Sequence, residues 1–171
     1  MNKNVVLRPL EPTDGIDLVK HLNNPNVIRY LSDRLPKPYT LQDAKWWLEI
    51  GQRQNALNYA IECNGQFCGV IGAYLPDDLS SQQDAELGYW LGEYFWGNGI
   101  GTHAVALFIE KFFEKTSLKA LYNPISSPNQ ASIRVMEKVG FRLKYITQKT
   151  AFHQGEACDE HVYVLKRADI R

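Results

Sequence analysis

Gly97-Asn98-Gly99-Ile100-Gly101 puts three glycines within five residues, between a stretch with strand character and a stretch with helical period. Upstream, Ala85-Glu86-Leu87-Gly88-Tyr89-Trp90-Leu91 reads as a strand. Downstream, Ala104, Val105, Phe108, Ile109, Phe112 and Phe113 recur at helical spacing and predict one long helix over roughly Gly99 to Lys115. Such a passage exposes the first N–H groups of the helix, which have no carbonyl partner inside it. Glycines let that backbone approach an anion without a Cβ in the way, and the helix dipole adds partial positive charge. Trp96 to Thr102 is therefore predicted to cradle phosphate. The other reading, Asn98-Gly99 as a hairpin turn, fits less well, because the following residues keep a helical and not an alternating period. No Lys-Ser or Lys-Thr follows as in a P-loop, and no third glycine stands at dinucleotide spacing.

Around this loop the pattern is mixed. Val5 to Leu10 reads as a first strand, and Ile16, Leu18, Val19 and Leu22 suggest a short helix. Another helix opens at Thr40, where Thr-Leu-Gln-Asp supplies a hydroxyl and, three residues on, a carboxylate for the first-turn N–H groups. Asn58 to Cys63 and Gln66 to Leu75 read as strands around an Asn64-Gly65 turn, and Asp77 to Asp84 as a polar loop. Ala120 to Ile125 reads as a strand, Asn129 to Val139 as a helix, and Phe141 to Ala151 with Cys158 to Leu165 as a closing antiparallel pair. Strands thus group before and after two central helices. Pro124 to Pro128 is too short to separate domains. With 171 residues and 44% hydrophobic content, residues 1–171 are expected to form one domain around one core.

Nineteen basic and nineteen acidic residues cancel, so nothing predicts long-range attraction to nucleic acid or to an anionic membrane. Neither a signal-peptide pattern nor a bilayer-spanning run is present in the sequence, and a cytoplasmic protein is expected. Cys63, Cys68 and Cys158 lack metal or redox-pair spacing and are expected to be free thiols. His21, His103, His153 and His161 are scattered, so no metal site is predicted.

A second constellation runs from Asn129 to Phe141. Asn129 suits a helix cap, Gly140 suits the left-handed residue that ends a helix, and Ser132, Val135, Met136 and Val139 fall on one face. Taken alone this is also a plain capped amphipathic helix.

Together the two segments resemble the GNAT superfamily of acyl-CoA-dependent N-acetyltransferases, in its RimJ/RimL-type branch. Leu7-Arg8-Pro9-Leu10 is similar to that branch's opening strand, Glu86 to Leu91 to its fourth strand, and Trp96 to Thr102 to its pyrophosphate loop. Asn129 to Phe141 is similar to its late helix, and Gly155-Glu156 through Asp159 and Tyr163 to its C-terminal hairpin. The resemblance implies an α/β (α+β) GNAT fold: a single mixed, mostly antiparallel sheet of about seven strands, flanked by about four helices and splayed at strands 4 and 5. It implies acetyl-CoA as donor, with the pyrophosphate on the backbone of Gly97, Asn98, Gly99, Ile100 and Gly101, flanked by Trp96 and Thr102. The pantetheine arm would pair with the backbone of Trp90 and Leu91, and Asn129 and Ser132 would lie near the thioester.

Many family members carry a tyrosine four residues after the position of Ser132, as the acid that protonates the leaving thiolate; here it is Met136, which has no proton to give. Ser132, one turn earlier, is the candidate in its place, against the alternative that it only packs. Glu86 stands in an otherwise apolar strand, where a carboxylate is costly unless paired or useful. Partial burial would raise its pKa toward that of a general base, and the resemblance assigns it base or amine-binding work; the alternative is an arginine partner. Backbone N–H groups near Gly88 to Trp90, at an expected bulge, would stabilise the oxyanion. His103 reads as a surface residue.

The acceptor side is expected to hold Arg34, Tyr39, Trp46 and Trp47 beside Glu86, with one tryptophan ring inside and the other lining. The reading that follows is transfer of acetyl to a primary amine, a protein N-terminal α-amine, by direct attack in a ternary complex. The alternatives are a non-catalytic acyl-CoA sensor and a polyamine or antibiotic N-acetyltransferase, the last drawing on Asp77, Asp78 and Asp84. A monomer and a homodimer are both open.

Overall fold

The structure, a computed structural model, describes residues 3–77, 84–153 and 155–170. In chain order its elements are β1 (Val5–Arg8), α1 (Gly15–Leu22), α2 (Pro25–Ile28), α3 (Leu41–Glu49), β2 (Ala56–Cys63), β3 (Gln66–Tyr74), β4 (Asp84–Leu91), α4 (Ile100–Lys115), β5 (Ala120–Ser126), α5 (Gln130–Lys138), β6 (Arg142–His153) and β7 (Glu156–Lys166). The strands form one sheet in the order β1-β2-β3-β4-β5-β7-β6, antiparallel throughout except between β4 and β5.

Local chemistry accounts for the elements. Thr40 accepts from Asp43 N–H while the Asp43 carboxylate takes the Thr40 N–H, which starts α3 where the sequence predicts it. Asn64 and Gly65 both have positive φ, at 52° and 79°, and close the β2–β3 hairpin between Cys63 and Gln66. The three cysteines are free. The short α2 is a fifth α-helix where about four were expected. Its four residues are too few for a periodic signal, and it starts because Asn24 caps it and Pro25 presets the first φ. Most of the loop predicted at Asp77 to Asp84, Asp78 included, lies outside the described residues.

Two apolar clusters cover opposite faces of the sheet. Ala104, Val105, Phe108 and Phe112 of α4 are fully buried against Ile61, Ile71, Leu87 and Leu121. Leu18, Leu22, Ala44 and Leu48 of α1 and α3 pack on Ala60, Phe67 and Val70 from the other side. Arg8 fastens that second layer to β1. It forks onto both Asp14 oxygens at 3.0 and 2.7 Å and reaches Glu62 at 2.7 Å.

What positions the site is the brevity of the one parallel ladder. Only Asp84, Ala85 and Glu86 pair with Ala120, Leu121 and Tyr122. Beyond them β4 continues along β3 to Leu91, and β5 continues along β7 to Ser126. Pro124, which has no N–H to donate, stands in β5 just past the ladder's end, where the β4 side asks for none. The expected splay is therefore present.

Candidate active site

The gap between β4 and β5 opens into a cleft of about 430 Å³. One wall is the glycine loop and the start of α4. Gly97 and Gly99 hold left-handed φ of 70° and 77°, and a Cβ at either would meet nothing within 4 Å, so conformation and not crowding requires glycine. The helical ladder opens with His103 N–H on the Gly99 carbonyl at 3.1 Å, and Gly99 caps with no side chain. The N–H groups of Ile100, Gly101 and Thr102 thus precede the first intrahelical bond. Asn98 is the one loop residue among those predicted that does not line the cleft. Its carbonyl and side-chain oxygens accept from Lys3 Nζ at 2.7 and 3.0 Å, and its amide donates to the Trp96 carbonyl.

The opposite wall is α5. Asn129 caps it by accepting from Ser132 N–H at 3.3 Å, and both residues line the cleft with Arg134, Val135 and Lys138. A third side is formed by α2 and the residues after it, including Arg29 and Tyr30. Glu93 ties that segment to the turn after β4 by accepting from Asn24 and Asn26 amides at 2.7 and 2.8 Å. Arg29, Arg134 and Lys138 give the lining three cations, and no carboxylate lines it among the described residues. With the N–H groups of α4 they suit a polyphosphate. Sequence reasoning missed all three. Arg134 and Lys138 carried a signal in their i, i+4 spacing, whereas Arg29 follows a helix too short to read.

β4 supplies the floor, and its alternation decides which backbone groups are available. Gly92 N–H bonds the Cys68 carbonyl at 2.8 Å, so at two-residue spacing Trp90 also turns its N–H and C=O to β3. Tyr89 and Leu91 turn theirs to the opening, where Trp96 Nε1–H takes the Leu91 carbonyl at 2.9 Å. Trp90 lines the cleft, but Tyr89 and not Trp90 offers backbone there. The expected bulge at Gly88 to Trp90 is absent, because β3 and β4 stay in one register from Gly69–Leu91 to Tyr74–Glu86.

Glu86 lies on the other face of the sheet, half-buried at the end of the parallel ladder. It accepts from the Tyr122 hydroxyl at 3.2 Å, and so has a tyrosine and not an arginine as partner. Burial first, then the Glu86 charge, pushes the Tyr122 hydroxyl up to about 12, which keeps it a donor. The pairing of Tyr122 with Val164 and of Ser126 with Glu160 puts Glu160 on the Glu86 face. Burial and then the Glu86 charge raise the Glu160 carboxyl.

The match to a protein-family model settles the larger class. Residues 4–142 match the acetyltransferase (GNAT) domain. This chain belongs to that family. Among its relatives are the uncharacterised Bacillus subtilis protein YkkB, 29% identical over 84% of each chain, and the spermidine N(1)-acetyltransferase of Escherichia coli K12, 26% identical over 89% of this chain and 80% of that one. The ribosomal L7/L12 α-N-protein acetyltransferase RimL, solved with coenzyme A, has the same fold, with a TM-score of 0.83 at 20% identity over 95% of this chain and 92% of that one.

In this acetyltransferase Met136 is fully buried, and its sulfur takes the Asn123 amide at 3.4 Å, so the position of the common tyrosine belongs to the core. Tyr39 is buried as well. Asn23 holds both its backbone groups, and burial pushes its hydroxyl up to about 12, so it does not line the cleft. Of the tryptophan pair, Trp47 packs on the second core and Trp46 is exposed; neither lines the cleft. Arg34 is exposed and away from it, and Arg29 and Tyr30 stand there instead. The second core takes in Tyr39 and Trp47 together with the apolar faces of α1 and α3.

Proposed function

We propose that this chain transfers acetyl from acetyl-CoA to a protein N-terminal α-amine by direct attack in a ternary complex. The observation that carries the reading is the three-pair β4–β5 ladder, which ends at Glu86 and Tyr122, while the cleft takes up β4 three residues on, at Tyr89 to Leu91. Cations and helix N–H groups on one side suit the donor's phosphates, and a carboxylate on the other suits an amine. The Tyr89 carbonyl and the Leu91 N–H suit an extended pantetheine arm, and the Tyr89 N–H suits the oxyanion.

Glu86, holding the Tyr122 hydroxyl, accepts the proton that the amine loses, directly or through one water. The nitrogen attacks the thioester carbon, and the C–S electron pair leaves on sulfur, where Ser132 donates a hydrogen bond. An α-amine titrates near ~8 and is partly neutral at ordinary pH, so one carboxylate suffices.

A polyamine acceptor is the second reading, favoured by Glu160 on the Glu86 face. Two carboxylates there match a dication titrating above ~10 better than they match one α-amine. Coenzyme A release followed across peptide N-termini, polyamines and aminoglycosides separates the readings. Preference for peptides supports the first, preference for polyamines replaces it with the second, and tight coenzyme A binding with silence toward every amine leaves a sensing domain.

A further inference from the structure

The Ser132 hydroxyl has one proton, and where it points decides whether the serine helps the leaving sulfur. A serine inside a helix ordinarily turns that proton back to the carbonyl three or four residues earlier. For Ser132, the third residue of α5, these are the Asn129 carbonyl, which takes Ile133 N–H at 3.2 Å, and the Pro128 carbonyl before the cap, which already accepts from Gln130 N–H at 2.9 Å and from the Tyr30 hydroxyl at 3.3 Å. A carbonyl oxygen has two lone pairs. On the far side, the Tyr89 hydroxyl faces Ser132 Oγ at 3.5 Å. Tyr89 lies on the cleft floor, and its ring edge is 3.5 Å from where a Cβ on Gly101 would stand.

We propose that Tyr89 is a positioning residue for acetyl transfer: by donating to Ser132 Oγ while Tyr30 occupies the Pro128 carbonyl, it leaves the serine proton directed into the cleft. The inference rests on the acetyl-CoA reading above. Burial raises the Tyr89 hydroxyl and outweighs the lowering by Ser132, so the phenol keeps the proton it would donate. No proton leaves Tyr89 in the step. The amine nitrogen forms its bond to the thioester carbon, the C–S bond breaks with both electrons on sulfur, and Ser132 O–H donates to the thiolate. The nitrogen's proton goes to Glu86, and the thiolate takes its own from water. The long 3.5 Å contact is of the kind that shortens when a cleft fills.

The test needs no acceptor. Coenzyme A alone is bound to the wild type, Tyr89→Phe, Tyr30→Phe, Ser132→Ala and the Tyr89→Phe/Ser132→Ala double variant, and its thiolate is followed by ultraviolet absorbance across pH. A hydrogen bond to the charged form lowers the thiol's pKa. Tyr89→Phe and Ser132→Ala are each expected to raise it by roughly half to one unit, the double variant no further than Ser132→Ala, and Tyr30→Phe by less. Turnover should follow, with kcat down about tenfold in Tyr89→Phe and KM for acetyl-CoA within about twofold. A bound-thiol pKa unchanged in Tyr89→Phe, or raised equally in the Ser132→Ala background, overturns the inference while leaving the acetyl-CoA reading intact. Wild-type protein that fails to bind coenzyme A by calorimetry overturns both.

Discussion

Glu86 and Tyr122 close the parallel ladder as its last pair, and the same two side chains are hydrogen bonded at 3.2 Å, so the carboxylate is anchored at the point where β4 and β5 separate. Glu86→Gln keeps the shape and removes the base. Turnover is expected to fall by about 10²-fold or more with coenzyme A affinity unchanged. Tyr122→Phe, which loses only the anchoring bond, is expected to cost less. Steady-state kinetics with calorimetry checks both, and undiminished turnover in Glu86→Gln removes Glu86 from the mechanism.

Gly99 caps α4 at a φ of 77°. Valine there must either hold a left-handed conformation, at about 1–2 kcal/mol, or pull the loop away from the N–H groups of Ile100 and Gly101. Affinity for coenzyme A should fall at least severalfold. Equal affinities by calorimetry would show that the loop geometry does not matter to the donor.

Arg134 and Lys138 bring positive charge to the cleft from one face of α5. Removing either by Arg134→Gln or Lys138→Gln should weaken coenzyme A binding severalfold at low salt. The difference from wild type should shrink as salt approaches about 1 M, where charges more than a few ångströms apart are screened. A salt-independent loss would point to shape.

His21 is enclosed by Phe67, Trp90 and Phe95, and a Cβ on Gly92 would come within 2.4 Å of its ring. Burial, then Lys20, lowers its pKa from the ordinary 6.5. The folded state therefore binds a proton less readily than the unfolded chain. The resulting stability is fully present above 6.5, declines as pH falls below it, and levels off below the lowered folded value. Urea unfolding at about pH 7.5 and about pH 5 should show the loss, and His21→Phe should lessen it. An unaltered pH slope in that variant would place the effect on other groups.

Asp14 is 3% exposed and bonded by the forked guanidinium of Arg8. Arg8→Met strands that carboxylate and is expected to destabilise the protein by about 2–4 kcal/mol. Arg8→Lys should recover only part, since a point charge cannot fork to Asp14 and reach Glu62. Denaturant midpoints measure both, and full recovery by lysine would show that charge alone matters.

Every element type but the short α2, the Thr40 cap, the Asn64-Gly65 turn and the glycine loop were legible in the chain, because each depends on residues within a few positions of one another. The loop's geometry was legible for the same reason: Gly97 and Gly99 hold positive φ, and a helix starts at once. Which side chains meet was not. Tyr39 and Trp47 read as pocket aromatics, but both pack in the second core with α1 and α3. Arg29 and Tyr30 join the cleft only because Glu93 fastens α2 from 67 and 69 residues away. The partner of Glu86 comes from the next strand, and the Ser132 hydroxyl meets one from a strand 43 residues before it. Backbone preference is local and survives in sequence. The direction of a proton, the partner of a buried carboxylate and the face on which a strand's free N–H points are set by register and packing, and only the tertiary structure decides them.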